Sequence, residues 1–255
     1  MSSTPTRRDS RRPPRAGSRP HRRTWLVVLL VCLAAGIGAP MWTHARESAR
    51  YPISTADLAD TRAALATLPV KGRAPTTGYD RAQFGQAWAD VDRNGCDTRN
   101  DVLARDLTDR TVKPDTAGCV VLTGTLADPY TGADITFERG EHSADVQIDH
   151  VVALSDAWQK GAQQWTTERR TAFANDPANL LAVDGPANQR KGAGDAATWL
   201  PPNTGYRCAY VARQVRVKAA YGLWVTAAEK AAMERQLDGC VVVDAGPAGE
   251  SGADS

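Results

Sequence analysis

The chain has 255 residues, 42% of them hydrophobic, which allows one compact domain of ordinary size plus extra segments. Its formal net charge of +2 conceals an asymmetry: residues 1–23 carry eight arginines against one acid, Asp9, and the remainder is about −5. That excludes a strongly basic field over the whole domain, so a nucleic-acid partner would have to be met by a local basic cleft.

Residues 1–23, rich in Arg, Pro and Ser, read as a disordered cytoplasmic or n-region. Residues 24–45 hold the uncharged stretch WLVVLLVCLAAGIGAPMW at 25–42. At ~1.5 Å per helical residue it approaches the ~30 Å hydrocarbon core of a bilayer. Two readings stand: a signal peptide cleaved after Thr43-His44-Ala45, or a single transmembrane anchor through residues 24–42. Either way the basic flank stays inside and the rest is exported, to an extracellular or cell-surface location. Residues 46–78 read as a short helix (Leu58, Ala63, Leu65 and Leu68, after a Ser54 or Thr55 cap) and the linker KGRAPTTG.

The domain proper spans residues 79–240, with a disordered tail at 241–255. Residues 79–90 read as a helix that sets Phe84 and Trp88, four apart, on one face. A turn at NGCDTRN leads into a helix over 102–107 that Asp97 can cap. Arg99 there is either one half of a salt bridge or a phosphate contact. Residues 119–126 and 134–137 alternate like strands, and Asp128-Pro129-Tyr130-Thr131-Gly132 supplies the turn of a hairpin. His142 falls in a solvated loop.

Residues 146–150 then read as a strand running into Asp149-His150. Helices follow at 153–165 and 167–174, with Trp158 and Trp165 as core residues, until Asp176-Pro177 breaks the pattern. Residues 179–183 form a second strand and Asp184-Gly185 a turn. Pro186 suits the first turn of a short helix carrying Asn188 and Lys191, three apart, on one face. A helix over 206–221 carries Arg207, Arg213, Arg216 and Lys218, either as a solvated face or as a wall of a DNA cleft. Thr226 to Glu229 forms a capping box for a last helix ending at Leu237.

Cys32 lies in the apolar stretch; Cys96, Cys119, Cys208 and Cys240 lie in the domain without a CxxC pair, which argues against a zinc knuckle. An even number beyond an export segment points to two disulfides. Of three pairings, Cys96–Cys119 with Cys208–Cys240 joins near neighbours and keeps the loops separate. HExxH and a Ser or Cys triad pattern are missing, which sets a peptidase aside.

Asp149 and an Asn oxygen are hard donors suited to Mg²⁺, and His150 can take a proton from a water near neutral pH. Neighbours in a regular strand face opposite ways, so both can serve one site only where the strand ends. A strand ending in Asp-His, a second strand led by Asn179, and a short helix with Asn188 resemble the HNH, or ββα-metal, nucleases. The strings YDRAQFG, CDTRNDVLARDL, DPYTG, QIDHVVALSDAW, NDPANLLAVDG and ATWLPP are similar to a secreted subgroup and to the C-terminal nuclease part of some modification-dependent restriction enzymes. The likeness covers residues 78–240.

That resemblance implies an α+β fold, mostly helical, built around a ββα-metal core with an extra N-terminal β-hairpin. It implies an exported endonuclease hydrolysing phosphodiester bonds of DNA, or RNA, with one divalent cation (Mg²⁺, or Mn²⁺ in its place) held by Asp149 and Asn188. His150 would be the general base, Asn179 would pin the loop between the strands, and Lys191, with Arg99, would contact phosphate. Nucleic acid would be the partner, with no obligate protein partner. The alternative is a catalytically inactive extracellular module that binds nucleic acid or cell envelope.

Overall fold

The structure, a computed structural model, describes residues 48–243. The expectations for the N-terminal arginine-rich and apolar segments, Cys32 and the acidic tail beyond residue 243 lie outside the described residues. Among those described, no helix is long and apolar enough to cross a membrane.

The fold is mixed α/β. Helix α1 (Thr55–Thr67) starts where Ser54 accepts a hydrogen bond from the Asp57 amide and buries Leu58, Thr61 and Leu65. Helix α2 (Thr98–Asp106) is capped by the Asp97 carboxylate, which accepts from the Asn100 amide. Strands β1 (Leu107–Val112), β2 (Val121–Ala127) and β3 (Asp134–Glu138) form an antiparallel sheet in that order. β1 was not expected: only Leu107 in LTDRTV is buried, so the strand lacks an alternating apolar signal. Its sheet neighbour β2, rather than its own pattern, holds it.

A second sheet contains only β4 (Val146–His150) and β5 (Leu180–Asp184), antiparallel, with Asp149 opposite Leu181 and His150 opposite Leu180. Between them lie α3 (Leu154–Trp158), a 3₁₀ turn at Ala162–Gln164, and α4 (Thr167–Ala174). One helix over 153–165 was expected; Gly161, at φ 132°, interrupts it. Trp158 and Trp165 still reach one apolar cluster with Phe84 and Phe173. α5 (Gly185–Lys191) follows β5 directly, capped by Asp184 and carrying proline in its first turn. α6 (Arg207–Tyr221) and α7 (Ala227–Asp238) are the last helices among the described residues, the latter opened by the Thr226–Glu229 capping box.

Residues 79–90 depart most from expectation. Instead of a helix there is one 3₁₀ turn, Arg81–Phe84, and then irregular chain. Gly85 has φ 78° and packs so close to α4 that a Cβ would collide with Thr171. Phe84 and Trp88 therefore part company. Phe84 enters the cluster with Trp158 and Phe173, whereas Trp88 packs against the cluster of Leu103, Phe137 and Ile148.

Disulfides join Cys96 to Cys119 and Cys208 to Cys240. The first ties the approach to α2 to the β1–β2 connection; the second ties the start of α6 to the chain after α7. Closing loops with sequence separations of 23 and 32 residues contributes about 3–4 kcal/mol each in the chain-entropy account.

Of the basic residues of α6 only Arg216 is exposed; the others turn to the protein. Arg213 donates to the carbonyls of Pro177, Ala178 and Leu180, and Arg207 to that of Pro201. Lys218 is fully buried and meets Asp156 and Glu229, both at 2.9 Å. Lys160, equally buried, meets Asp156 at 2.6 Å, Asp195 at 2.9 Å and Glu229 at 2.6 Å. Arg73, on the chain after α1, reaches Asp156 at 3.0 Å and Asp195 at 2.5 Å. Three buried carboxylates are thus neutralised by two buried lysines and the partly exposed Arg73, which is what makes such burial tolerable.

Burial alone would raise the Asp156 carboxyl, but the Lys218 and Lys160 ammonium groups overcome it and hold the group down to about 2, against an ordinary 3.8. Because that folded value is depressed, its stabilising contribution is present above about 3.8 and is lost as pH falls through about 2. Urea unfolding of wild type and Asp156→Asn from pH 7 to pH 2 should show the wild type losing more of its stability between those values. Lys160→Met, which leaves three carboxylates with only Lys218 and Arg73 between them, should cost about 3–5 kcal/mol at pH 7.

Candidate active site

The short β4–β5 pair positions the site. β4 is apolar at Val146 and Ile148, which bury on the sheet's packed side, and ends at His150. Immediately beyond, the Val151 amide donates to the Asn179 carbonyl at 2.8 Å. The Asn179 side chain then grips Val152 from both ends: Oδ1 accepts from the Val152 amide at 2.8 Å and Nδ2 donates to its carbonyl at 3.3 Å. Asn179 is completely buried, so its amide has no water to fall back on. The backbone turns at this clamp, and both Asp149 and His150 line one cleft.

That cleft has a volume of about 300 Å³. Asn188 faces it from α5, and Tyr79, Arg81 and Ser155 complete much of the wall. The structure therefore brings together Asp149, His150 and Asn188. Arg81 is a cleft residue that sequence reasoning passed over, although it lies in the YDRAQFG string.

His150 is 6% exposed, and its Nε2 lies 2.8 Å from the carbonyl of Ala174. Ala174 ends α4, where carbonyls lack an intrahelical partner. A carbonyl only accepts, so Nε2 carries the proton and Nδ1 is left with a lone pair. No described residue bonds to Nδ1. Burial pushes the imidazole down to about 3, against the opposing effect of the Ala174 hydrogen bond, with the Arg81 and Lys191 charges adding to the fall. The ring is thus held neutral in one tautomer.

Asp149 is 5% exposed. Tyr130, fully buried, donates its hydroxyl to Oδ2 at 2.5 Å. Burial, and then the Asp149 charge, raise that hydroxyl well above its ordinary value, so it stays a donor. The Lys191 ammonium sits 2.9 Å from both carboxylate oxygens and donates to the His150 carbonyl at 2.8 Å.

This placement corrects the expectation for Lys191. Its side chain has no solvent exposure and points inward from α5, so it meets Asp149 rather than a phosphate. An i+3 spacing sets Asn188 and Lys191 broadly on one side of the helix, but which of them reaches solvent depends on the neighbouring strand. Arg99 lies apart from that cleft. Its guanidinium lies 5.9 Å from the Phe137 ring centre, makes no ion pair among the described residues, and lines neither cavity beside His150. Burial, and then Arg139, lower its affinity for the proton. His142 is exposed and lies 3.5 Å from Asp145, as a loop histidine does.

The donors available to a cation are few. Among the described residues, no three or more His, Cys, Asp or Glu side chains converge as a metal cage. Asn188 turns its Nδ2 to Gln147 Oε1 at 3.0 Å, which leaves Oδ1 without a partner among the described residues. A carboxylate offers about four lone-pair positions, and Lys191 and Tyr130 do not use them all. One carboxylate and one amide oxygen fit a hard cation that keeps most of its waters, and fit zinc poorly.

The sequence profile of the GmrSD restriction endonucleases, C-terminal domain, matches residues 97–236. An "uncharacterized secreted protein" of the fungus Arthroderma benhamiae is 36% identical over 219 residues, 85% of this chain and 98% of its own. No solved structure matches the chain.

If Lys191 is a buried counter-ion, Lys191→Met should lower stability by about 3–5 kcal/mol by leaving Asp149 unpaired. A surface phosphate contact removed in the same way would leave the thermal melt within about 0.5 kcal/mol of wild type. The match over 97–236, more than half of the chain, places the protein in the family of the GmrSD restriction endonuclease C-terminal domain.

Proposed function

We propose that the protein is an exported, metal-dependent endonuclease of the HNH type, with DNA as the first substrate to test and RNA as the second. The observation that carries this reading is the His150 imidazole: neutral, locked by the Ala174 carbonyl, and sharing a cleft with Asp149 and Asn188. A structural histidine would use both nitrogens inside the protein. Here one nitrogen is spent on orientation and the other makes no hydrogen bond among the described residues, which supports its use toward substrate. Export is suggested by the apolar segment at 25–42, the two disulfides and the name of the fungal relative.

Asp149 and Asn188 would hold one divalent cation, Mg²⁺ first, which when bound supplies charge stabilisation at the phosphate and the leaving oxygen. His150 Nδ1 would take the proton of the attacking water. Asn179 would keep the strand end from relaxing, so that the imidazole stays in register with the carboxylate. Tyr130 and Lys191 would orient Asp149 without touching substrate. Arg81, exposed at the rim, is assigned the phosphate contact first expected of Arg99 and Lys191. The rival, a module that binds without cutting, has no use for an imidazole tautomer fixed in this way.

Supercoiled plasmid incubated with the purified protein and Mg²⁺ should be nicked and linearised, and a chelator should stop the reaction. His150→Ala should slow it by ~10²–10⁴-fold, the usual worth of a general base. Binding of the same plasmid should survive that substitution. Equal cutting by both proteins, or cutting indifferent to chelator, would remove the mechanism.

A further inference from the structure

His150 has a second neighbour space. On the side away from Asn188, a cavity of about 220 Å³ opens between the 3₁₀ turn at Arg81–Phe84 and the end of α4. We infer that this cavity is a subsite for a single unpaired nucleobase flanking the scissile phosphate. The inference rests on the nuclease reading and adds to it the form of the substrate: single-stranded or locally opened nucleic acid.

Three observations carry it. The first is the wall. Trp88, half-buried, lies nearly parallel to the His150 ring, at 16° with centroids 6.3 Å apart. Trp88 has φ 58°, a left-handed conformation that a bulky side chain rarely takes. Its carbonyl and that of Ala89 are tied to Thr98 at the start of α2, so the residue is held there by design of the neighbouring chain. Leu154 and Phe84 add apolar surface. A flat aromatic face beside an apolar floor suits any base, because every base has a π-face.

The second observation is an orphan acceptor. Asn175 lines the same cavity and is 1% exposed. Its Nδ2 donates to the carbonyls of Thr171 at 2.9 Å and Gln86 at 3.4 Å, which fixes which end of the amide is oxygen. Oδ1 is buried without a hydrogen-bond partner. A buried acceptor left unmet is uncommon, and a small turn of this side chain, which already lines the cavity, would offer it to a donor seated there. Every nucleobase carries an N–H on its pairing edge, and in a duplex that edge is engaged. To bring that edge into the cavity with its face on Trp88 the base must leave its stack, which an unpaired base does at least cost.

The third observation is continuity. His150, Leu154 and Arg81 line both this cavity and the cleft with Asp149 and Asn188. A base seated against Trp88 would have its phosphate close to the Arg81 guanidinium and its neighbour at the reacting imidazole. The volume equals about seven waters at ~30 Å³ each, space for one heterocycle rather than a stacked pair.

The test measures binding to a fluorescein-labelled single strand and to a hairpin duplex of equal charge, by anisotropy on the full-length protein in chelator. Trp88→Leu keeps bulk against Leu103 and Ile148 but has no aromatic face; Trp88→Phe restores one. Loss of one base–aromatic contact should weaken single-strand binding by about 5- to 150-fold in Trp88→Leu, with Trp88→Phe near wild type and duplex binding changed by less than about threefold. Equal losses on both ligands, or no loss on the single strand, would overturn the subsite while plasmid cutting by the wild type left the nuclease reading standing. A wild type that neither binds nor cuts nucleic acid would overturn both. A Trp88→Phe variant as weak as Trp88→Leu, both with wild-type circular dichroism, would also overturn it.

Discussion

A lysine ammonium with no water around it must be met by a carboxylate, and that requirement holds the centre of this molecule together. Lys191 leaves the last turn of α5 and reaches back to the Asp149 carboxylate and the His150 carbonyl at the end of β4. One contact therefore fixes the helix against the strand, the carboxylate against the helix, and the backbone at the histidine. Tyr130, from the turn between β2 and β3, adds a hydroxyl to the same carboxylate and links the three-stranded sheet to the two-stranded one. Asp149 reaches the cleft already oriented, with the ordering cost met on folding rather than on binding.

The same logic is repeated about Asp156, Asp195 and Glu229, which share Lys160, Lys218 and Arg73. That network joins α3, α6, α7 and the loop after α5. Charges buried in this way contribute little net stability compared with apolar packing, but each is costly to strand. With two disulfides closing the α2 and α6–α7 regions, the body is stiff where it backs the cleft. The segment at 81–88, by contrast, has little regular structure, and it forms the rim.

How far this was legible in the chain depends on distance along it. Asp149, His150, Asn179 and Asn188 fall within one stretch of some forty residues, where strand and turn signals placed them on neighbouring elements and the resemblance to the HNH nucleases supplied the reason to bring them together. The disulfide pairing followed from proximity, and the α7 capping box from local chemistry. What escaped were long-range pairings. Residues 73, 156, 160, 195, 218 and 229 carry no common period, so nothing in the sequence says that they meet. The basic residues of α6 read as a surface because periodicity shows a face, not what covers it. Trp88 was misread because its spacing from Phe84 is helical, while Gly85 between them turns the chain against Thr171.

The central claim is that the oxygen donors of Asp149 and Asn188 and the free nitrogen of His150 face one bound cation. Anomalous diffraction from crystals soaked in Mn²⁺ tests it most directly. The account predicts one strong peak within roughly 2.0–2.4 Å of an oxygen of Asp149 and of Asn188, with a bound water on the side of His150 Nδ1 and Lys191 still against Asp149. A peak elsewhere, or none at these two residues at saturating metal, would contradict it.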